Sequence, residues 1–233
     1  MEARIKQLQI ENLTCDCVDT GSYHTCYLLV PMILAGRQIA MLAEKYSCNI
    51  VAIHGIDWDN ALTPWPAPGV FPGEPDFEGK ADKFLFSLKE EVIPKVERLP
   101  GMESSAERTL IGVSLSGLFA LWAWMQEEYF ANIGSISGSF WYDGFVEWIG
   151  DKAICPKSGY AYFSLGDKEG NSRDISRFRT IQQNTAQVYN TLRQNGIRTI
   201  FEQTSGTHFA PFIPRLEKAL KAFAYLSTEN RNT

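Results

Sequence analysis

The chain alternates short, unbroken apolar runs with longer stretches in which apolar residues return at helical spacing. Ile5 to Ile10 predicts a strand, with irregular chain after it through Gly21. Thr25 to Val30 (TCYLLV) predicts a short buried strand that Pro31 ends, and Asn49 to His54 (NIVAIH) predicts another. Between them, Ile33, Ile39, Leu42 and Ala43 recur as in a helix spanning Ile33 to Tyr46. The stretch from Gly55 to Gly79 is rich in proline and glycine and predicts a long loop, ordered because Trp58, Trp65, Phe71 and Phe77 give it apolar surface to pack. A helix is predicted over Lys80 to Arg98, bent or split at Pro94. Thr109 to Val113 (TLIGV) predicts a strand that runs almost directly into an apolar helix at Gly117 to Tyr129. Ile133 to Ser137 and Tyr160 to Leu165 (YAYFSL) predict two further strands. Ile175 to Asn195 predicts a helix stopped by Gly196, Arg198 to Gln203 the last strand, and Pro211 to Leu226 the last helix. Strands alternating with helices predict a mostly parallel sheet covered by helices.

Composition narrows the picture. A chain of 233 residues without internal repeat, low-complexity tract or linker suits a single domain over residues 1–233. Net charge is −5 and no Lys/Arg-rich run occurs, so nucleic acid is not an expected partner. Charges interrupt Met1 to Asn12, which therefore lacks the apolar core of a signal peptide. The longest apolar stretch, near Leu28 to Gly36, contains Pro31 and is too short to span a bilayer. The five cysteines (Cys15, Cys17, Cys26, Cys48, Cys155) form neither a disulfide framework nor paired zinc-type spacing. Cys15-x-Cys17 admits a metal or redox reading, with reduced, incidental thiols preferred. A cytoplasmic location without membrane attachment is expected.

The residues that carry chemistry centre on Gly112-Val113-Ser114-Leu115-Ser116-Gly117, where a buried strand turns into an apolar helix. A serine on such a strained turn projects its Oγ above the sheet edge, and small flanking residues let helix and strand approach. The usual pattern is G-x-S-x-G; here Ser116 stands at the fifth position, with Gly117 just after it. Gly170-Asn171-Ser172 shares only three letters and follows no strand. A serine nucleophile at neutral pH needs a base, and the chain offers only His24, His54 and His208. Chain order Ser, acid, His selects His208, which lies between the last strand and the last helix. The loop after the Tyr160–Leu165 strand, Gly166-Asp167-Lys168-Glu169, supplies two carboxylates able to orient the imidazole, Asp167 and Glu169. One oxyanion donor should be the Leu115 N–H. The second should follow the third strand of the fold, Thr25 to Val30, which points to Met32 or Ile33. His54-Gly55 imitates an oxyanion motif but follows the next strand, and reads as a structural turn. Phe140, Trp141 and Tyr142 follow the strand after the nucleophile helix, and Trp58 and Trp65 lie in the long loop; together they are the expected substrate wall. For Trp65, between Pro64 and Pro66, packing of the loop is an equal reading. No metal or organic cofactor is implied, since such a triad performs acyl transfer unaided.

These pieces resemble the "Putative esterase" family of α/β-hydrolases, which includes esterase D and enterochelin-type siderophore esterases. The matching segments are Gly112 to Ala120, Ser137-Gly138-Ser139-Phe140-Trp141, Ser164 to Glu169, Gly206-Thr207-His208-Phe209, Asp57-Trp58 and Leu62-Thr63-Pro64-Trp65, which span most of the chain. The resemblance is closest to the siderophore-esterase branch. It implies an α/β-hydrolase fold, a mostly parallel twisted sheet of about eight strands with helices on both faces and no large lid domain. It also implies a serine esterase acting on a small-molecule carboxylic ester. Two departures stand out: Ser116 replaces the second elbow glycine, and Pro31 to Gly36 lacks the glycine- or aspartate-rich segment of many relatives. Glu169 is preferred to Asp167 as the acid, because the loop has turned further by Glu169 and many hydrolases show G-x-x-acid there. The competing readings are an acyltransferase using the same acyl-enzyme, and a hydrolase-fold binding protein that has lost catalysis. The survival of Ser114, His208 and an acid in compatible order speaks against the last.

Overall fold

The computed structural model describes residues 5–71, 73–102, 107–152, 157–171 and 176–229. Its strands are β1 (Ile5–Ile10), β2 (Leu13–Val18), β3 (His24–Leu29), β4 (Asn49–His54), β5 (Glu107–Val113), β6 (Asn132–Ile136), β7 (Tyr160–Gly166) and β8 (Arg198–Thr204). They form one eight-stranded sheet in the order β1-β2-β4-β3-β5-β6-β7-β8. β1 with β2 and β2 with β4 pair antiparallel, and every other pairing is parallel. This is the α/β-hydrolase architecture, with no large lid among the described residues.

The chemistry of the strands explains their places. β3, β4 and β6 are buried at every position, as expected of parallel strands covered on both faces. β1, at the edge, alternates exposed and half-buried positions. Along β3, Tyr27 and Leu29 enter one apolar cluster and Cys26 and Leu28 the other, the period-2 signature of a two-sided core. The segment after Ile10, expected to be irregular, is instead β2. Leu13, Cys15 and Cys17 alternate with Thr14 and Asp16, and the charge of Asp16 disguises a strand position that is buried against His54.

The helices are α1 (Gly36–Tyr46), α2 (Trp58–Ala61), α3 (Ala81–Ser87), α4 (Ile93–Glu97), α5 (Leu115–Gln126), α6 (Phe145–Asp151), α7 (Ile181–Gln194) and α8 (Phe212–Glu229). α1 and α8 cover one face, and α3 to α7 cover the other. α1 starts later than its apolar spacing suggests, and Ile33 is exposed. A π-helical turn, Leu88–Val92, joins α3 to α4. Pro94 has no N–H to give the carbonyl four residues earlier and its ring would collide with it, so the widened turn carries the chain past without a break. α7 is preceded by a 3₁₀ turn, Ser176–Thr180, while Ile175 lies outside the described residues. Among the described residues, no helix is long and apolar enough to cross a membrane.

Candidate active site

β5 delivers Ser114 to the end of the sheet between β3 and β6. Ser114 has φ 57° and ψ −123°, a conformation non-glycine residues adopt at a cost of roughly 1–3 kcal/mol. Its backbone is over-determined: Ser114 N–H donates to Ile136 O at 3.1 Å, and Ser114 O accepts from Gly117 and Leu118 N–H at 3.0 and 3.1 Å and from Ser139 N–H at 3.0 Å. A Cβ on Gly112 would lie 2.1 Å from the Ser116 carbonyl oxygen, so only glycine lets helix and strand meet. Ser116 is fully buried and faces away from the crevice. Its Oγ accepts from Val113 N–H at 2.7 Å and reaches Leu29 O at 2.8 Å, tying the end of β3 to the elbow.

His208, on the loop between β8 and α8, has Nε2 3.0 Å from Ser114 Oγ and Nδ1 3.0 Å from Glu169 Oε2. A carboxylate only accepts hydrogen bonds, so Nδ1 carries the proton and the neutral ring turns the Nε2 lone pair to Ser114. The single Ser114 proton then points to His208. The Ser139 hydroxyl, 3.2 Å from Ser114 Oγ, is left as donor to that oxygen. The Glu169 side chain is 1% exposed. Its Oε1 accepts from Gly166 N–H at 2.7 Å, Ser137 Oγ at 2.6 Å and Arg215 Nη1 at 3.0 Å. Burial pushes this carboxyl up, but hydrogen bonds from His208, Ser137 and Gly166, with the coulombic pull of His208, outweigh it and hold it below the usual carboxylate range.

The other carboxylate of the loop has a separate task. Asp167 Oδ1 accepts from Gly206 N–H at 2.7 Å and pins the start of the histidine loop, while Glu169 meets the imidazole. A Cβ on Gly166 would sit 2.3 Å from Gly206 O, so the two loops need glycine to touch. His24 and His54 serve the sheet: His24 Nε2 lies 2.7 Å from Thr109 Oγ1, and His54 Nε2 lies 2.7 Å from Asp16 Oδ2 in a buried pair.

Leu115 is the first residue of α5, where helix geometry leaves its N–H without an intrahelical partner. Leu29 pairs with Gly112, so the chain after β3 runs beside the elbow. There Val30 N–H bonds Ile53 O at 3.4 Å and Pro31 has none, which makes Met32 the first residue of that segment with an N–H to offer. A cleft of about 480 Å³ opens beside this segment, lined by Met32, Ile33, His54 and Trp58 among others; neither Ser114 nor His208 lines it.

The expected aromatic wall divides. Phe140 is stacked on Phe145 at 5.5 Å, and both Phe140 and Tyr142 are buried, at 1% and 2% exposure, so they form core rather than wall. The apolar helix α6 that they pack against was not anticipated. Trp65 is half-buried, its Nε1 donating to Asp143 O at 2.8 Å and its ring tilted against Tyr142. Trp141 is buried in the same cluster, at 7% exposure, but lies 5.3 Å from Phe178, itself half-buried and 5.9 Å from His208, and Trp58 borders the cleft. Sequence reasoning missed the roles of Ser137, Ser139 and Arg215. The signal for Arg215 was its place on the apolar stripe of α8 with Phe212, Ala219 and Phe223, where a charge needs a buried partner. Cys15, Cys17, Cys26 and Cys48 are free and buried, and burial pushes the Cys15 and Cys17 thiols up to about 12. Cys155 lies outside the described residues. Among the described residues no group of three or more His, Cys, Asp or Glu side chains is placed to hold a metal ion.

Comparison with known proteins places these features in context. The family model described as "Putative esterase" matches residues 29–223. The uncharacterized protein YbbA of Bacillus subtilis (strain 168) is 30% identical over 186 residues, covering 76% of this chain and 74% of its own. Siderophore hydrolase EstA from Aspergillus nidulans superposes with a TM-score of 0.73 at 21% identity, over 97% of this chain and 95% of that one. An IroE-like serine hydrolase from Shewanella oneidensis gives 0.73 at 18% identity, over 95% and 79%. The enterobactin and salmochelin hydrolase IroE gives 0.69 at 17%, over 96% of each chain. The structural likenesses are likenesses of fold.

Proposed function

Because the chain belongs to the "Putative esterase" family and is a carboxylic ester hydrolase, we propose that it works through an acyl-enzyme on Ser114. The observation that carries this reading is the unbroken chain Ser114 Oγ–His208–Glu169, with 3.0 Å at each link. His208 Nε2 takes the Ser114 proton as Oγ attacks the ester carbonyl. The resulting imidazolium is held by the ionised, buried Glu169. Negative charge gathers on the former carbonyl oxygen, which the N–H groups of Leu115 and Met32 stabilise. His208 returns its proton to the departing alkoxide, and the alcohol leaves. A water molecule, deprotonated by the same Nε2, then attacks the acyl carbon and frees Ser114. No step calls for a metal or an organic cofactor.

For the substrate we propose a small-molecule siderophore-type ester, one of whose halves lies against Trp141 and Phe178 and the other towards Trp58 and Met32. The neighbours named as siderophore hydrolases and the run of ring contacts from Trp141 through Phe178 to His208 support this class. The test is pre-steady-state hydrolysis of p-nitrophenyl acetate followed by a panel of esters varied in acyl and alcohol parts. A p-nitrophenol burst matching enzyme concentration, absent in Ser114→Ala, is expected. A burst that survives Ser114→Ala would reject the mechanism, and a panel preference for short alkyl esters over bulky aromatic ones would reject the substrate class.

A further inference from the structure

Behind the Ser114–His208–Glu169 chain lies a charge that the mechanism above does not use. Arg215, on the first turn of α8, is 4% exposed. Its Nη1 donates to Ser137 Oγ at 2.7 Å and to Glu169 Oε1 at 3.0 Å, and its Nη2 donates to Thr207 O at 2.8 Å and Ser205 O at 3.4 Å. One guanidinium thus grips the acid loop, the β6 end and the backbone that leads into His208. We propose that Arg215 is a positioning residue that balances the charge of Glu169 and thereby sets the pH at which the His208–Glu169 pair sheds its proton and His208 becomes available as a base.

A buried carboxylate beside an imidazole attracts a proton to the pair, and an enzyme that needs the free base must limit that attraction. With Arg215 in place the resting cluster of Glu169, His208 and Arg215 is neutral, and protonating His208 creates a net positive charge in a buried site. Without Arg215 the resting cluster is negative and protonation neutralises it. The pair then takes up its proton at higher pH, whichever member holds it. Other charged groups on the surrounding elements are poorly placed to substitute. Asp167 and Lys168 on the acid loop and Arg179 beside Phe178 are exposed, Asp167 Oδ1 is occupied by Gly206 N–H, and Arg177 pairs with Asp143 at 3.0 Å. Ser114 contributes no charge. A guanidinium suits the position because its planar fork serves four acceptors at once, which an ammonium on a flexible stem does not.

This inference rests on the acyl-enzyme reading, and the experiment separates the two. The pH dependence of kcat/KM for p-nitrophenyl acetate is measured in the wild type, Arg215→Met, Arg215→Lys and Ser114→Ala. Arg215→Met is expected to move the acid limb up by roughly one pH unit, an opposite charge of this kind having been removed. Arg215→Lys keeps the charge and loses the fork, so its limb stays within about 0.3 unit of wild type while kcat falls on the order of tenfold. A merely structural arginine would lower kcat or stability in both variants and leave both limbs in place, and that result overturns the proposal while activity absent from Ser114→Ala keeps the mechanism. Activity retained by Ser114→Ala would sink the mechanism instead. Should Arg215→Met fail to fold, Arg215→Lys decides: a limb displaced upward despite the retained charge, or an unchanged kcat, overturns the proposal.

Discussion

Replacing Glu169 with Gln removes one charge and almost no volume, and the surroundings of the carboxylate determine the outcome. Oε1 accepts from Gly166 N–H, Ser137 Oγ and Arg215 Nη1, and Oε2 faces the Nδ1–H of His208. Every partner is a donor, so the amide NH₂ of glutamine meets a donor whichever way it flips. Turned to His208, it forces the ring to the other tautomer and takes the Nε2 lone pair away from Ser114. Turned to Arg215, it strands a buried guanidinium, and breaking a buried ion pair costs about 3–5 kcal/mol. The expected loss in kcat for p-nitrophenyl acetate is up to about 10⁴-fold, with KM little changed, because the acid acts on the transition-state imidazolium. Urea unfolding adds a second readout with a definite sign. The Glu169 carboxyl is held below its ordinary range when folded. Its contribution to stability is therefore fully present above the unfolded value, about 4.3, and is lost as pH falls through the lower folded value. Wild-type stability should fall across that acidic window, and Glu169→Gln should fall less steeply there while being less stable at neutral pH. A Glu169→Gln enzyme with near-normal kcat, or one with an unaltered acid slope, would refute the assignment of Glu169.

Four further outcomes follow from the same contacts. Asp167→Asn keeps an oxygen for Gly206 N–H and should retain kcat within about a factor of ten, measured in the same assay. Ser116→Ala strands the half-buried Val113 N–H and frees the buried Leu29 O, so urea unfolding should show a loss of about 1–3 kcal/mol, with kcat less affected than by Ser114→Ala. Trp141→Ala should shift preference between aryl and alkyl esters, whereas Phe140→Ala, in the core, should cost about 3–5 kcal/mol of stability and change selectivity little. Added methanol should divert little acyl product from water if the enzyme is a hydrolase; dominant methyl-ester formation would favour acyl transfer.

The central strands were legible because parallel strands covered on both faces must be apolar throughout, as NIVAIH is, and because the strand–serine–helix junction has few alternative readings. β2 was hidden by Asp16, whose carboxylate is hydrogen-bonded to a histidine 38 residues away that no local pattern can reveal. The same reason concealed Arg215 and Ser137, which meet Glu169 only through tertiary contacts. Chain order points to His208 among three histidines, and the structure sets it between Ser114 and Glu169; which of Asp167 and Glu169 meets the imidazole depends on how the loop folds back against Gly206. The aromatic residues after β6 are expected as wall because their strand end opens on the crevice of Ser114, and α6, which no pattern announced, supplies the surface that buries Phe140 and Tyr142.

The most direct test of the account is covalent labelling with a fluorophosphonate, followed by intact mass and peptide mapping across pH. One adduct per chain is expected, located on Ser114, absent from Ser114→Ala and strongly slowed in His208→Asn, with the His24→Asn and His54→Asn enzymes labelling like wild type. An adduct on any other residue, or undiminished labelling of His208→Asn, would contradict it.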